Sequence, residues 1–293
     1  MRPVLKVAIP FLAISGVLAL LAVNLRAQAE FRIERPVIEV PQPVKNGEAE
    51  DAGPKRAVYD GDPVTPAPRC EELDEPFTAF CSEGDPCEML LEIVHVEETT
   101  SGIVAVGGVH TTSDNASSIM LLSEDGGDTW FESAARTPRA TFEKALFVDA
   151  DHGWAAGTSG ESGAGRQTFF LVTSDGGKRW RRFEVTAGGE ERSGLIVDFL
   201  FDTPKHGYLI LEKPELDDRF ELYETFNGAR SWSTRGLTPD RPRFPGRRRS
   251  IEIPNWRVEE DSGEAVYVIE GRDDKSSPWT TRARFAASLG TCP

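Results

Sequence analysis

Ser123-Glu124-Asp125-Gly126-Gly127-Asp128-Thr129-Trp130 decides the fold, because these eight positions return twice. They recur as Thr173-Ser174-Asp175-Gly176-Gly177-Lys178-Arg179-Trp180 and, more altered, as Thr225-Phe226-Asn227-Gly228-Ala229-Arg230-Ser231-Trp232, at spacings of 50 and 52 residues. A fixed period of that size marks a repeat architecture. Each copy follows a strand-like run (Met120 to Leu122, Thr168 to Val172, Glu221 to Glu224) and leads into alternating residues that read as another strand. The octet is therefore a hairpin turn. A hydroxyl at its first position and a carboxylate or amide at its third can bond turn backbone groups that the strand ladder leaves unpaired. Glycine at the fourth or fifth position supplies positive φ. The closing Trp buries its ring against a neighbouring sheet, for about 2 to 3 kcal/mol of apolar burial. Shape accounts for these residue types without reactivity. Ser123, Asp125, Gly127 and Trp130, with Thr173, Asp175, Gly177 and Trp180 and with Thr225, Asn227, Gly228 and Trp232, are thus read as structural.

A second element precedes each turn. Phe147 to Gly157, around Asp151-His152-Gly153-Trp154, aligns with Phe201 to Leu211, around Lys205-His206-Gly207-Tyr208, and both read strand, tight turn, strand. Weaker copies stand at Glu97 to Gly107 and Glu259 to Ile269. Four antiparallel strands in about fifty residues form one propeller blade. The expected fold is all-β, a small β-propeller of about four four-stranded blades over residues 88–293, with the fourth blade taking its outer strand from Ala286 to Cys292 or from Cys70 to Cys87.

These residues resemble the Asp-box, or BNR, repeats (S-x-D-x-G-x-T-W) of sialidases and of many non-catalytic propellers. The first turn matches fully, the second has Arg179 in place of Thr, and Asn227 with Ala229 departs from the pattern and weakens the third. The H-G-W and H-G-Y elements are similar to those of the lumenal photosystem II assembly factor family. The resemblance implies rings of six or seven blades, Asp boxes on outer hairpins and a ligand face remote from them. Room for only four blades implies a small ring, or half a ring completed by a second copy as a homodimer.

The ends of the chain read differently. Residues 1–29 carry Arg2, Lys6 and Arg26, no acid, and an apolar run over 7–23, and Ala27-Gln28-Ala29 suits cleavage after export. An uncleaved membrane anchor through residues 4–23 is the alternative. Residues 30–69, with seven prolines and no periodicity, read as a linker. A segment at 70–87 holds three of the four cysteines, Cys70, Cys81 and Cys87, and Cys292 is the fourth. An even count in an exported chain suggests disulfides, and the favoured pairing is Cys87 with Cys292 and Cys70 with Cys81.

A net charge of −15 argues against nucleic acid as a partner. The sharpest basic feature is Arg241, Arg243, Arg247, Arg248 and Arg249. This group could grip an anionic glycan or an acidic protein surface, stand in solvent, or neutralise residues 70–135, which hold fifteen acids and no Lys or Arg. His152 and His206 occupy equivalent turn positions and read as structural, and the sequence calls for no metal and no cofactor. No G-x-S-x-G or H-E-x-x-H motif is present. The expectation is a non-catalytic protein- or glycan-binding module of the cell envelope, periplasmic or secreted, with a sialidase-like glycoside hydrolase as the rival.

Overall fold

The structure is a computed structural model that describes residues 55–73, 81–160, 166–214, 216–217, 219–246 and 255–293. The segment read as an export signal or anchor lies outside the described residues, as do Arg247, Arg248 and Arg249. Residues 51–293 form one compact unit. Its elements are β1 (Ala57–Val58), a 3-10 turn (Cys70–Glu72), β2 (Cys87–Thr99), β3 (Gly102–His110), β4 (Asn115–Ser123), β5 (Thr129–Glu132), β6 (Ala140–Phe147), β7 (Gly153–Ser159), β8 (Gln167–Thr173), β9 (Arg181–Glu184), β10 (Thr186–Ala187), β11 (Glu190–Glu191), β12 (Leu195–Phe201), β13 (Gly207–Glu212), β14 (Phe220–Thr225), β15 (Ser233–Thr238), β16 (Trp256–Asp261), β17 (Val266–Gly271), β18 (Thr280–Ala286) and β19 (Ser288–Cys292).

The protein is all-β, built from successive antiparallel sheets. Strands β2–β5, β6–β9 and β12–β15 form three sheets in chain order, and β16–β18 form a fourth with three strands. Trp-ended turns connect β4 to β5, β8 to β9 and β14 to β15. The small β10–β11 hairpin turns on Gly188 and Gly189, both at positive φ, a signal for a two-residue hairpin loop that the sequence already carries.

Three apolar cores join the sheets. The first sheet meets the fourth through residues such as Leu91, Trp130, Ile269 and Phe285. It meets the second through Val106, Met120, Phe142 and Phe169, and the second meets the third through Trp154, Phe170, Phe201 and Trp232. The spatial order is fourth, first, second, third, with β16 beside β2, β2 beside β6 and β6 beside β12. Among the described residues no core joins the third sheet to the fourth. The outward side of the fourth carries ion pairs instead, Arg257 with Glu259 and Glu270 and Arg284 with Glu264.

The Trp rings do what burial demands of them. Trp130 meets Phe285 of the fourth sheet edge to face at 5.3 Å, and Trp232 lies 5.4 Å from Phe170 of the second. Trp154 stacks on Phe201 of the third sheet at 3.8 Å. The glycine of each His-Gly element has a steric cause. Gly153 pairs across the ladder with Phe147 and Gly207 with Phe201. A Cβ at Gly153 or Gly207 would stand 2.4 or 2.5 Å from the facing ring. Both rings lie over bare backbone.

Expectations about the last strand, the linker and the cysteine pairs are corrected. The fourth sheet takes no outer strand from Ala286 to Cys292: β19 crosses to the first sheet and pairs with β2, Cys292 opposite Cys87. Val64 instead bridges Phe285 in β18, with Val64 N donating to Arg284 O at 2.8 Å and Ala286 N to Val64 O at 2.9 Å. Part of the stretch read as linker is therefore built into the fold, since β1 also pairs with β5. The disulfides join Cys70 to Cys292 and Cys81 to Cys87. A tight turn in which Ser82 and Asp85 exchange backbone bonds returns Cys81 to Cys87. Cys87 and Cys292 face each other across the ladder, but Cys292 is left to the 3-10 turn that carries Cys70. The disulfides suit an oxidising, extracellular or periplasmic compartment.

Candidate functional site

The three Trp-ended turns share one plan of hydrogen bonds made by their first and third residues, whereas the indole bond to the turn backbone is made in the first alone, Trp180 Nε1 and Trp232 Nε1 being buried without a partner among the described residues. In the first, Ser123 Oγ donates to Asp125 Oδ1 at 2.9 Å and accepts from Gly127 N at 2.8 Å. Asp125 Oδ1 accepts from Thr129 N at 2.8 Å and Oδ2 from Thr129 Oγ1 at 2.6 Å, while Trp130 Nε1 donates to Gly127 O at 2.9 Å. The second repeats the plan with Thr173 and Asp175, and Arg179 supplies both its backbone N–H (2.9 Å) and its Nε (2.8 Å) to the carboxylate. In the third, Asn227 Oδ1 accepts from Thr225 Oγ1 and Ser231 N, each at 3.0 Å. An amide also needs an acceptor, and Asn227 Nδ2 donates to Ser231 Oγ at 2.8 Å.

The third turn thus keeps the geometry through paired chemical changes. Ala229 holds φ 72, a left-handed conformation that glycine takes at less cost. Desolvation works against the Asp125 carboxylate, but the bonds from Thr129 and Ser123 outweigh it and hold its pKa below the ordinary value. At Asp175 the Arg179 bond leads in the same direction. Both carboxylates are committed to their own turns.

The His-Gly turns lie against these turns, with Gly176 N donating to Asp151 O and Gly228 N to Lys205 O, each at 2.9 Å. His152 sits on Asp149 at 2.9 Å. His206 bonds Glu224 at 2.8 Å and stacks on Phe226. Both imidazoles have carboxylate partners within the fold. Among the described residues, no group of three or more His, Cys, Asp or Glu side chains could hold a metal ion.

Sequence reading missed the polar groups along the first strands of the sheets. Lys144 of β6 reaches Asp198 of β12 at 2.7 Å, and Arg241 meets the other oxygen of that carboxylate at 3.2 Å. Glu143, next to Lys144, is partly buried; desolvation and the neighbouring Glu92 charge push its carboxyl up, against the pull of Arg166. A charged pair, Glu143-Lys144, inside the apolar β6 pattern was the available signal.

A further cluster lies in the third sheet, where the Tyr223 hydroxyl donates to Glu221 and Lys213 Nζ stands 2.6 Å from the same carboxylate. Burial and the Glu221 charge push the Tyr223 phenol far above its ordinary pKa. A phenol so held is poorly suited to act as a nucleophile.

Of the arginine group, only Arg241 and Arg243 lie among the described residues, and neither pairs there with the acid-rich stretch. Arg241 is committed to Asp198, and Arg243 is exposed. Three acids of residues 70–135 find arginine partners elsewhere: Arg56 pairs with Glu124, Arg69 with Glu72 and Glu132, and Arg136 with Glu132. These cations flank the acidic stretch in sequence, so for these three acids the compensation is local.

In comparisons with known proteins, no family model matches the chain and no curated protein matches it.

Proposed function

We propose that the chain is an exported, non-catalytic β-propeller acting as a binding or assembly module for a protein or glycan partner in the cell envelope. One observation carries the reading: the repeated turn residues, which are the most conspicuous chemistry in the sequence, commit their two carboxylates and one amide to their own turns. The four sheets, with first strands side by side and Trp-ended turns at the outer hairpins, support assignment as blades. Among the described residues no core joins the third sheet to the fourth, and a second copy in a homodimer would complete a ring. The experiment is affinity capture from an envelope extract with the purified chain, alongside assay against a broad glycoside panel. A stable partner with no sugar release is the expected result, and turnover would overturn it.

The rival, a glycoside hydrolase, draws on Glu143, whose raised carboxyl beside Glu92 has the character of a general acid. If it holds, release of reducing sugar falls sharply in Glu143→Gln.

A further inference from the structure

Between the second and third sheets, at the end where the Trp-ended turns lie, is a cleft of about 550 Å³. Three of its cations stand out. Most described Lys and Arg side chains are tied to carboxylates, including Arg179, which faces the same cleft but is held by Asp175. Arg181, Lys205 and Arg230 make no ion pair among the described residues, and all three line this cleft. Asp175 is the one acid in its lining, and it is already neutralised. In a chain of net charge −15, unpaired cations converging on one cleft mark a local reversal of the molecule's field.

The walls come from two sheets. Arg181 opens β9 of the second sheet, whereas Lys205 and Arg230 belong to turns of the third. Their backbone is fixed before any ligand arrives, since Lys205 O accepts from Gly228 N and the turn bearing Arg230 is closed by Asn227. With the backbone held, binding has only the side-chain rotamers of these cations left to order. The cleft also carries ring surface: Phe183, and Phe226, which is 61% exposed. It is far larger than a single tetrahedral anion needs. Cations facing each other across a groove that also offers aromatic rings suit a chain whose units alternate negative groups with apolar ring faces, as acidic sugars do.

We propose that this cleft binds an anionic glycan bearing carboxylate or sulfate groups. The proposal deepens the binding-module reading and rests on it, and it places the ligand at the end of the Trp-ended turns instead of the opposite loops.

The test is calorimetric titration of the full chain with oligogalacturonate and with a heparin hexasaccharide, using a neutral dextran oligosaccharide and poly-glutamate as comparisons. At least one acidic sugar binds, more weakly as salt rises, and dextran does not. Preference for the carboxylate or the sulfate probe tells which anion is read. The exposed triple variant Arg181→Ser/Lys205→Ser/Arg230→Ser weakens binding by about tenfold or more, while Arg243→Ser/Lys275→Ser leaves it unchanged. Three results overturn the proposal: neither acidic sugar binds, poly-glutamate binds as tightly as the better sugar, or the Arg243/Lys275 variant loses affinity and the cleft variant keeps it. Capture of an envelope partner without any sugar binding would sink the cleft assignment alone. Cleavage of the oligosaccharides would sink the binding-module reading itself.

Discussion

Replacing Cys70 and Cys292 with alanine removes a crosslink that spans 222 residues of sequence, and the structure makes its loss far more costly than loss of the other bridge. On the loop-entropy relation, a closed loop of that length restrains the unfolded chain by about 5 kcal/mol, whereas the Cys81–Cys87 loop of 6 residues is worth about 2 kcal/mol. The native contacts around both bridges remain, because β19 still pairs with β2 and Val64 still bridges β18. The change therefore falls mainly on the unfolded state, whose expansion also steepens the denaturant dependence. Since domains of this kind are stable by only about 5 to 15 kcal/mol, the Cys70→Ala/Cys292→Ala protein should sit near the edge of folding at 37 °C. The assay is urea unfolding followed by tryptophan fluorescence and circular dichroism for the unaltered chain and each double variant. A larger loss in Cys81→Ala/Cys87→Ala, or a non-reducing peptide map that joins Cys87 to Cys292, would refute the reasoning.

Other consequences follow from the turns and ladders. The Asp125, Asp175, Glu221 and Glu224 carboxyls have pKa values held below their unfolded values. Their contribution is present above the unfolded pKa of about 4 and is lost as pH falls through the lower folded values, so urea midpoints should drop below about pH 4. Asp125→Asn should make that acid decline shallower, which urea titrations between neutral and acidic pH would read. Gly153→Ala forces a Cβ to within 2.4 Å of the Phe147 ring, and thermal unfolding should report a loss of about 1 to 3 kcal/mol.

What the sequence disclosed was local. A hydroxyl two residues before a carboxylate or amide describes a closed hydrogen-bond circuit with the turn backbone, and the structure contains that circuit three times, each followed by a Trp. The third copy looked degraded because position-by-position matching does not register that Asn227 and Ser231 changed together to keep donors and acceptors balanced. Long-range pairings left no such trace. Val64 bridges a strand more than two hundred residues away, within a Pro-rich stretch that has no periodicity of its own. The disulfide partners were misassigned because bracketing the strands in sequence does not reveal that the Ser82–Asp85 turn brings Cys81 back to Cys87. The cleft cations were hidden for a related reason: Arg181, Lys205 and Arg230 are scattered in the chain, and only the packing of the second sheet on the third gathers them.

The claim on which the account turns is that the Trp-ended turns hold shape, and Asp125→Ala tests it most directly because Asp125 belongs to the first sheet's turn and does not line the cleft. Urea unfolding combined with amide hydrogen exchange at Thr129 should show a stability loss of about 1 to 2 kcal/mol and a Thr129 amide that exchanges faster, its acceptor having gone. An unfolding curve and a Thr129 exchange rate identical to those of the unaltered chain would contradict the account.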